Sequence, residues 1–186
     1  GENNFAEDAI GIILDGTGYG LDNTIWGGEI LVGNYTTVKR YSHLEQFPLP
    51  GGDAAIKEPW RIALSYLYHA FECKLSQLDF LNGLNSEIVL KMLAKKINSP
   101  LTSSAGRLFD AVSVICGGPK TIKYEAQAAI EFMYKIDSME VEPYEVEENN
   151  IGSKIIPLKK LIRNVFEDSI NNIPISIISA RFHKTF

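Results

Sequence analysis

The hydrophobic periodicity of this chain changes near residue 45, and that change most constrains its fold. Before it lie three short apolar runs rich in β-branched residues, at 9–14, 24–32 and 35–44. Such runs are typical of strands, and the Gly33-Asn34 pair between the last two is a hairpin signal. We therefore predict a three-stranded antiparallel meander. Its first strand, 9–14, should be buried, and 17–20 should form a loop.

After residue 45 apolar residues recur three and four positions apart, which predicts helices. The predicted helices begin near Pro59 (or earlier, with Asp53 as the cap), after a Ser86 cap, near Thr102, near Tyr124, at Pro157 and at Pro174. The fourth of these should bury Ala126, Ala129, Ile130 and Met133. The segment 141–156 alternates and then turns, so it is predicted to be a hairpin with a solvated acidic face. The sequence thus predicts one α+β domain over 1–186.

Composition limits the classes of function. The 18 basic and 23 acidic residues give a net charge of −5, which excludes a global basic field for nucleic acid. No apolar run approaches the length of a membrane span, and no secretory signal is visible. The two cysteines, Cys73 and Cys116, are far apart within helical patterns, which indicates buried, reduced thiols. We expect a cytoplasmic protein.

The segment Asp15-Gly-Thr-Gly-Tyr-Gly20 is the first candidate site. An aspartate at the end of a strand is held rigidly, and the glycines after it let backbone amides converge on an anion. A carboxylate beside such a loop suits a metal–phosphate site. Taken alone, the segment fits a structural hairpin better. The paired glycines in Trp26-Gly-Gly-Glu29 similarly favour a structural role, as a bulge or a close backbone approach.

Three polar or small residues share one face of the third predicted helix. Ser103, Gly106 and Asp110 lie three and four positions apart, opposite the apolar face. A glycine flanked by a hydroxyl and a carboxylate suits a bound ribose. Glycine inside a helix costs about 1 kcal/mol relative to alanine, so it needs a reason, and close helix–helix packing explains it equally well. No two of the three histidines have the spacing of metal ligands.

Four segments together resemble one family. They are 15–29 (DGTGYGLDNTIWGGE), 48–64 (PLPGGDAAIKEPWRIAL), 99–112 (SPLTSSAGRLFDAV) and 124–131 (YEAQAAIE). In order and spacing they are similar to the C-terminal transferase module of the HypF carbamoyltransferases, which mature nickel–iron hydrogenases. That module is related to the enzyme that makes threonylcarbamoyl-adenosine in tRNA. The resemblance implies part of an actin/sugar-kinase/Hsp70-like (ASKHA) fold.

The resemblance also implies a chemistry. An upstream domain of the same protein makes carbamoyl-adenylate from carbamoyl phosphate and ATP. The module passes the carbamoyl group to the C-terminal cysteine of HypE, and the thiocarbamate is later dehydrated to cyanide. A divalent metal, iron or zinc, is held beside the adenylate by a His-x-x-x-His pair and aspartates.

The family's motifs assign roles to residues of this chain. Asp15 is the candidate metal ligand. The phosphates are expected at Gly16, Thr17, Gly18, Tyr19 and Gly20. The nucleoside is expected at Ser103, Gly106 and Asp110. The resemblance assigns no catalytic residue.

The chain departs from the family's pattern in three places. The His pair would precede residue 1, the glycine-rich SGG loop with a second aspartate would follow Phe186, and Ala126 stands where many relatives carry glycine. We therefore expect a middle piece of a larger protein that is inactive alone and holds no cofactor or metal tightly. The alternatives are a helical protein-docking domain and a sugar-kinase-like phosphotransferase. The lack of a recognisable sugar-binding segment argues against the last.

Overall fold

A computed structural model describes residues 7–72, 78, 81–147 and 154–186. The strands in these ranges are β1 (Ala9–Tyr19), β2 (Ile25–Gly33), β3 (Val38–Leu44), β4 (Phe47–Pro48), β5 (Leu101–Thr102) and β6 (Ile155–Ile156). The helices are α1 (Asp53–Lys57), α2 (Trp60–Ala70), α3 (Ser86–Lys95), α4 (Ala105–Ile115), α5 (Gln127–Met133), α6 (Lys159–Ile170) and α7 (Ile175–Thr185). This is the predicted α+β class.

The predicted antiparallel meander is confirmed and forms the centre of the sheet. β2 pairs antiparallel with β1 on one edge and with β3 on the other. Past the end of β3, β2 pairs in parallel with β5, which continues the sheet to β4. On the far side, β6 pairs in parallel with β3. Strands from three distant parts of the sequence thus extend the meander.

β1 differs from the sequence prediction in length and in burial. It continues to Tyr19, so the predicted loop at 17–20 is largely strand. The predicted burial of 9–14 is wrong: Ile10 and Ile12 are 73% and 71% exposed. The reason is that little packs on the faces of β1: besides its neighbour β2, α4 is the one described element that makes substantial contact with it. The apolar run therefore lies at an edge of the described sheet rather than inside it.

Helix α4 lies at the centre of the molecule. It contacts α2, α5, α6 and the first two strands, so residues all round it are buried. The predicted inner residues, Ala105, Leu108, Val112 and Ile115, belong to the core. α4 therefore connects the sheet to the helical layer, and its first turn meets β1.

Several predicted boundaries and faces are wrong. The β2–β3 turn spans 34–37, because the Asn34 side chain accepts hydrogen bonds from the Thr36 and Thr37 amides. α5 is shorter than predicted and buries Ala128 and Phe132, leaving Ile130 and Met133 exposed. Gly52 rather than Asp53 precedes α1, and Asn85 rather than Ser86 precedes α3.

The predicted 141–156 hairpin is not found where the structure describes that segment. Residues 141–147 contain no strand, 148–153 lie outside the described residues, and β6 pairs in parallel with β3. Cys116 is a half-buried free thiol, and burial raises its pKa to about 12, whereas Cys73 lies outside the described residues. None of the described helices is long and apolar enough to cross a membrane.

Candidate functional site

A bulge in β1 forms one wall of the candidate site. Leu14 pairs with Gly28 and Gly18 with Trp26, so Asp15, Gly16 and Thr17 all lie opposite Gly27. Gly27 has a φ of 152°, and a Cβ there would lie 2.4 Å from the Asp15 carbonyl oxygen. Only glycine permits this approach, so the predicted use of the Trp26-Gly-Gly-Glu29 glycines for close backbone contact is confirmed.

The first turn of α4 holds this bulge in place. The Ser104 hydroxyl lies 2.7 Å from the Asp15 carbonyl oxygen and 2.8 Å from that of Gly16. It also accepts the Arg107 amide at 3.1 Å, as the N-cap of α4. A Cβ on Gly106 would lie 2.8 Å from the Gly16 Cα. Gly106 thus serves close packing, as one of the two interpretations of the sequence held, but the packing is against a strand and not against another helix.

A cavity of about 490 Å³ opens beside the bulge. Its lining residues are Asp15, Gly16, Thr17, Ile56, Lys57, Arg107 and 122–126. Asp15 is exposed, and its Oδ1 accepts the Gly16 amide at 2.6 Å. The bulge therefore presents the Asp15 carboxylate to the cavity, and the Gly16 amide is already engaged.

A buried ion pair lies beneath this cavity. Arg107 Nη1 is 3.1 Å from Asp110 Oδ2, with the two side chains 6% and 1% exposed. The alignment of the two groups is poor. Among the described residues, Nη1 and Nε of Arg107 and both carboxylate oxygens of Asp110 therefore have no hydrogen-bond partner. Burial raises the pKa of Asp110 to about 6, against the lowering effect of Arg107. The face of α4 that carries Asp110, on which a ribose was expected, is therefore buried at this residue.

A second polar network lies on the other side of β2. The Glu29 carboxylate, 2% exposed, accepts the amides of Gly27 and Gly28 at 2.6 and 2.8 Å. It also accepts Arg40 Nη2 at 2.8 Å and the Ser103 hydroxyl. These bonds fix the backbone that faces the bulge. A glutamate next to paired strand glycines is the sequence signal that could have found this network.

Arg40 links this network to the turn before β2. Its Nη1 lies 2.9 Å from Asp22 Oδ2, and its guanidinium stacks over the Trp26 ring at 4.3 Å. Burial opposes ionisation of Asp22, but hydrogen bonds from Thr24 and Trp26 and the charge of Arg40 lower its pKa to about 2. Asp22 therefore remains ionised at neutral pH.

The structure brings only some of the predicted site residues together. Asp15, Gly16 and Thr17 line the 490 Å³ cavity, and Thr17 also borders a separate depression with Gly18, Tyr19 and Gly20. Ser103 bonds to Glu29, away from that cavity's lining. Sequence analysis missed Arg107, because an arginine in a helix carries no local signal of burial.

The described residues do not supply a metal site by themselves. In the ranges that the structure covers, no three His, Cys, Asp or Glu side chains lie close enough to hold an ion. The Nδ1 atoms of His43, His69 and His183 each lie 2.7–2.8 Å from a backbone carbonyl, as packing residues do. A metal at Asp15 would need further ligands, so no step below passes through it.

Residues 11–186 match the family model described as the second subdomain of a Kae1-like carbamoyltransferase domain. The chain therefore belongs to the carbamoyltransferases with a Kae1-like domain, as the four motifs predicted. It is 38% identical over 183 residues to the probable carbamoyltransferase HypF of Methanocaldococcus jannaschii, covering 92% of this chain and 23% of that protein. It is 44% identical over 124 residues to carbamoyltransferase HypF2 of Cupriavidus necator, covering 67% of this chain and 15% of that protein.

Solved HypF structures share the fold. A full-length HypF in a phosphate- and nucleotide-bound form has a TM-score of 0.86 at 37% identity, covering 99% of this chain and 29% of that one. HypF of T. kodakarensis has a TM-score of 0.77 at 31% identity, and the match covers 96% of this chain and 25% of that one. The chain thus spans less than a third of each of these relatives.

Proposed function

We propose that this chain is the part of a HypF-type carbamoyltransferase that holds the carbamoyl-adenylate. The cavity between the β1 bulge and Arg107 carries the proposal, because it places a carboxylate and a buried cation around one space. Its volume of about 490 Å³ lies within the range of nucleotide-sized pockets. The similarity to a HypF solved with phosphate and nucleotide supports the same role. With this role we also propose that the chain is part of an ASKHA fold.

The reaction that we propose is an acyl-type transfer. A thiolate attacks the carbamoyl carbon of the adenylate, the bond from that carbon to the phosphate oxygen breaks, and adenosine monophosphate leaves. Negative charge grows on the departing phosphate, so nearby cations lower the barrier. In this cavity the cations are Arg107, Lys57 and Lys123.

The partners follow from the same proposal. The acceptor is the C-terminal cysteine of a HypE-like protein, and the adenylate comes from another domain of the same polypeptide. Iron or zinc would be held by Asp15 together with ligands from outside the described residues. Both reactants are small or cytoplasmic, so we place the reaction in the cytoplasm without nucleic acid or membrane.

An Asp15→Asn variant of the full-length protein tests this role. The amide keeps the shape of the side chain and removes its charge. The contact that it removes is the one by which the Asp15 carboxylate would hold the metal. Loss of one charged contact costs about 1.5–3 kcal/mol, so carbamoyl transfer should fall about ten- to a hundred-fold. The measurement is the carbamoylated partner by mass spectrometry, with adenylate formation assayed separately and expected to continue.

Asp8→Asn is the matched control. Asp8 is also exposed and lies just before β1, outside the cavity lining. Its carboxylate accepts a hydrogen bond from the side-chain amide of Asn34 at 2.8 Å. It should leave transfer unchanged. Equal transfer by the Asp15 variant and the wild type would remove Asp15 from the site and favour the docking alternative.

A further inference from the structure

Arg107 is a buried cation with incomplete hydrogen bonding. Its side chain is 6% exposed, yet Nε and Nη1 have no hydrogen-bond partner in the described structure. A buried charge in this state is costly unless something completes its bonding. Asp110 does not complete it, because the contact is misaligned and both carboxylate oxygens are unpartnered too.

The same guanidinium lies against the wall of the cavity. Arg107 is a lining residue, and its Nη2 lies 3.2 Å from where a Cβ on Gly16 would stand. Nε and Nη1 make no hydrogen bond within the described residues, so a rotation of the group toward a ligand breaks only the misaligned ion pair with Asp110. A guanidinium presents its donors as a planar fork that matches two oxygens of a phosphate.

The other charges of the cavity are less suited to this contact. Lys57 and Lys123 are exposed at its rim, where solvent and salt screen them. Asp15 and Glu125 line the cavity as well and repel an anion placed beside them. The buried Arg107 is the position at which an oxyanion gains most.

We propose that Arg107 binds the phosphoryl oxygens of the nucleotide, with Asp110 beneath it as the buried counter-charge. This assignment rests on the proposed nucleotide role of the cavity and adds the residue that recognises its anionic part. Adenosine, which lacks the phosphate, should gain nothing from Arg107. The affinity for inorganic phosphate should depend on Arg107 alone.

Calorimetric titration of the full-length protein tests the assignment, with each variant compared with the wild type so that binding at any other nucleotide site cancels. The probes are adenosine monophosphate, inorganic phosphate and adenosine. Wild type should bind the monophosphate about ten- to a hundred-fold more tightly than adenosine. Arg107→Gln should bring the monophosphate down to the adenosine level, abolish phosphate binding and leave adenosine unchanged.

Arg181→Gln is the matched control. Arg181 also forms an ion pair with an aspartate, Asp168 at 2.7 Å, and lies outside the cavity lining. Its loss should leave all three affinities unchanged. A folded Arg107→Gln protein that binds the monophosphate as the wild type does would overturn the assignment.

If the Arg107→Gln variant does not fold, an NMR measurement on the wild type tests the same assignment. The side-chain N–H signal of Arg107 in an NMR spectrum should shift with the monophosphate and with phosphate but not with adenosine. An unmoved signal at saturating monophosphate overturns the Arg107 assignment. Equal affinity for monophosphate and adenosine also overturns it and leaves the nucleotide site standing. Binding of neither ligand overturns both proposals.

Discussion

Ala126 adopts a left-handed backbone conformation at the start of α5, with φ 59° and ψ 14°. A residue with a Cβ pays about 1–2 kcal/mol there, and glycine does not. Many relatives are expected to carry glycine at this position, which fits the observed geometry. The residue also lines the 490 Å³ cavity, so the strain lies at the candidate site.

We predict that Ala126→Gly raises the free energy of unfolding by about 1 kcal/mol, because it relieves that strain. Chemical denaturation measures the change. Ala129→Gly is the control: it lies inside α5 and should lower stability by about as much. If Ala126→Gly and Ala129→Gly both lower the free energy of unfolding, the backbone at Ala126 is not strained.

Asp110 should make stability depend on pH. Its folded pKa of about 6 exceeds the ordinary 3.8, so between these values the folded chain holds a proton that the unfolded chain has released. The stability that this group contributes is therefore present below about pH 4 and lost as the pH rises through 6.

We predict that the stability of the wild type relative to Asp110→Asn falls by roughly 2–3 kcal/mol between pH 4 and pH 7. Urea unfolding of both proteins across this range gives the difference. Burial raises the pKa of nearby Tyr66 still further above this range, so Tyr66 does not contribute to the difference. A difference independent of pH would show that Asp110 titrates normally.

At the scale of elements, the contact between the β1 bulge and the first turn of α4 is the defining feature. Ser104 joins them, since its hydroxyl caps α4 and contacts two carbonyls of the bulge. Gly27 and Gly106 permit the approach from either side. The carboxylate of Asp15 is thus positioned by three residues that do not touch the cavity themselves.

We predict that Ser104→Ala lowers the free energy of unfolding by about 1–2 kcal/mol, from the lost cap and the unpaired bulge carbonyls. Thermal and chemical denaturation measure it. Ser99→Ala is the control, because the Ser99 hydroxyl makes an exposed bond to the Ile97 carbonyl and should contribute within about 0.5 kcal/mol. Equal effects of the two substitutions would mean that Ser104 does not hold the bulge.

At the scale of the whole molecule, the helical layer is well buried and the outer strand is not. Ile62 of α2 is fully buried, whereas Ile10, Ile12 and Leu14 of β1 are exposed. An apolar edge strand of this kind contributes little to stability and favours association.

We predict that Ile12→Thr changes the free energy of unfolding by less than about 0.5 kcal/mol and reduces self-association. Ile62→Thr, the same substitution in the core, should cost about 2–4 kcal/mol through lost packing and a buried hydroxyl. Denaturation and light scattering of both variants are the measurements. A large loss of stability in the β1 variant would mean that this face is covered in solution.

The sequence by itself determined those features that depend on local chemistry. Helical periodicity predicted α2, α4, α6 and α7, because each has an apolar face that packs on the core. The short apolar runs rich in β-branched residues predicted β1, β2 and β3. The Asp15-Gly16-Thr17 motif drew attention to the part of β1 that lines the 490 Å³ cavity, since few other segments combine a carboxylate with consecutive turn-forming residues.

Only the tertiary structure decided burial, strand partners and the composition of the cavity. Ile12 and Ile62 are both isoleucines in apolar segments. Their burial differs because β1 has one described strand neighbour, whereas α2 lies inside the helical layer. β6 joins β3 from more than a hundred residues away, a pairing that no local pattern encodes. Arg107 belongs to the cavity because Ser104 and Gly106 dock α4 on the bulge, and this contact between distant segments buries its charge.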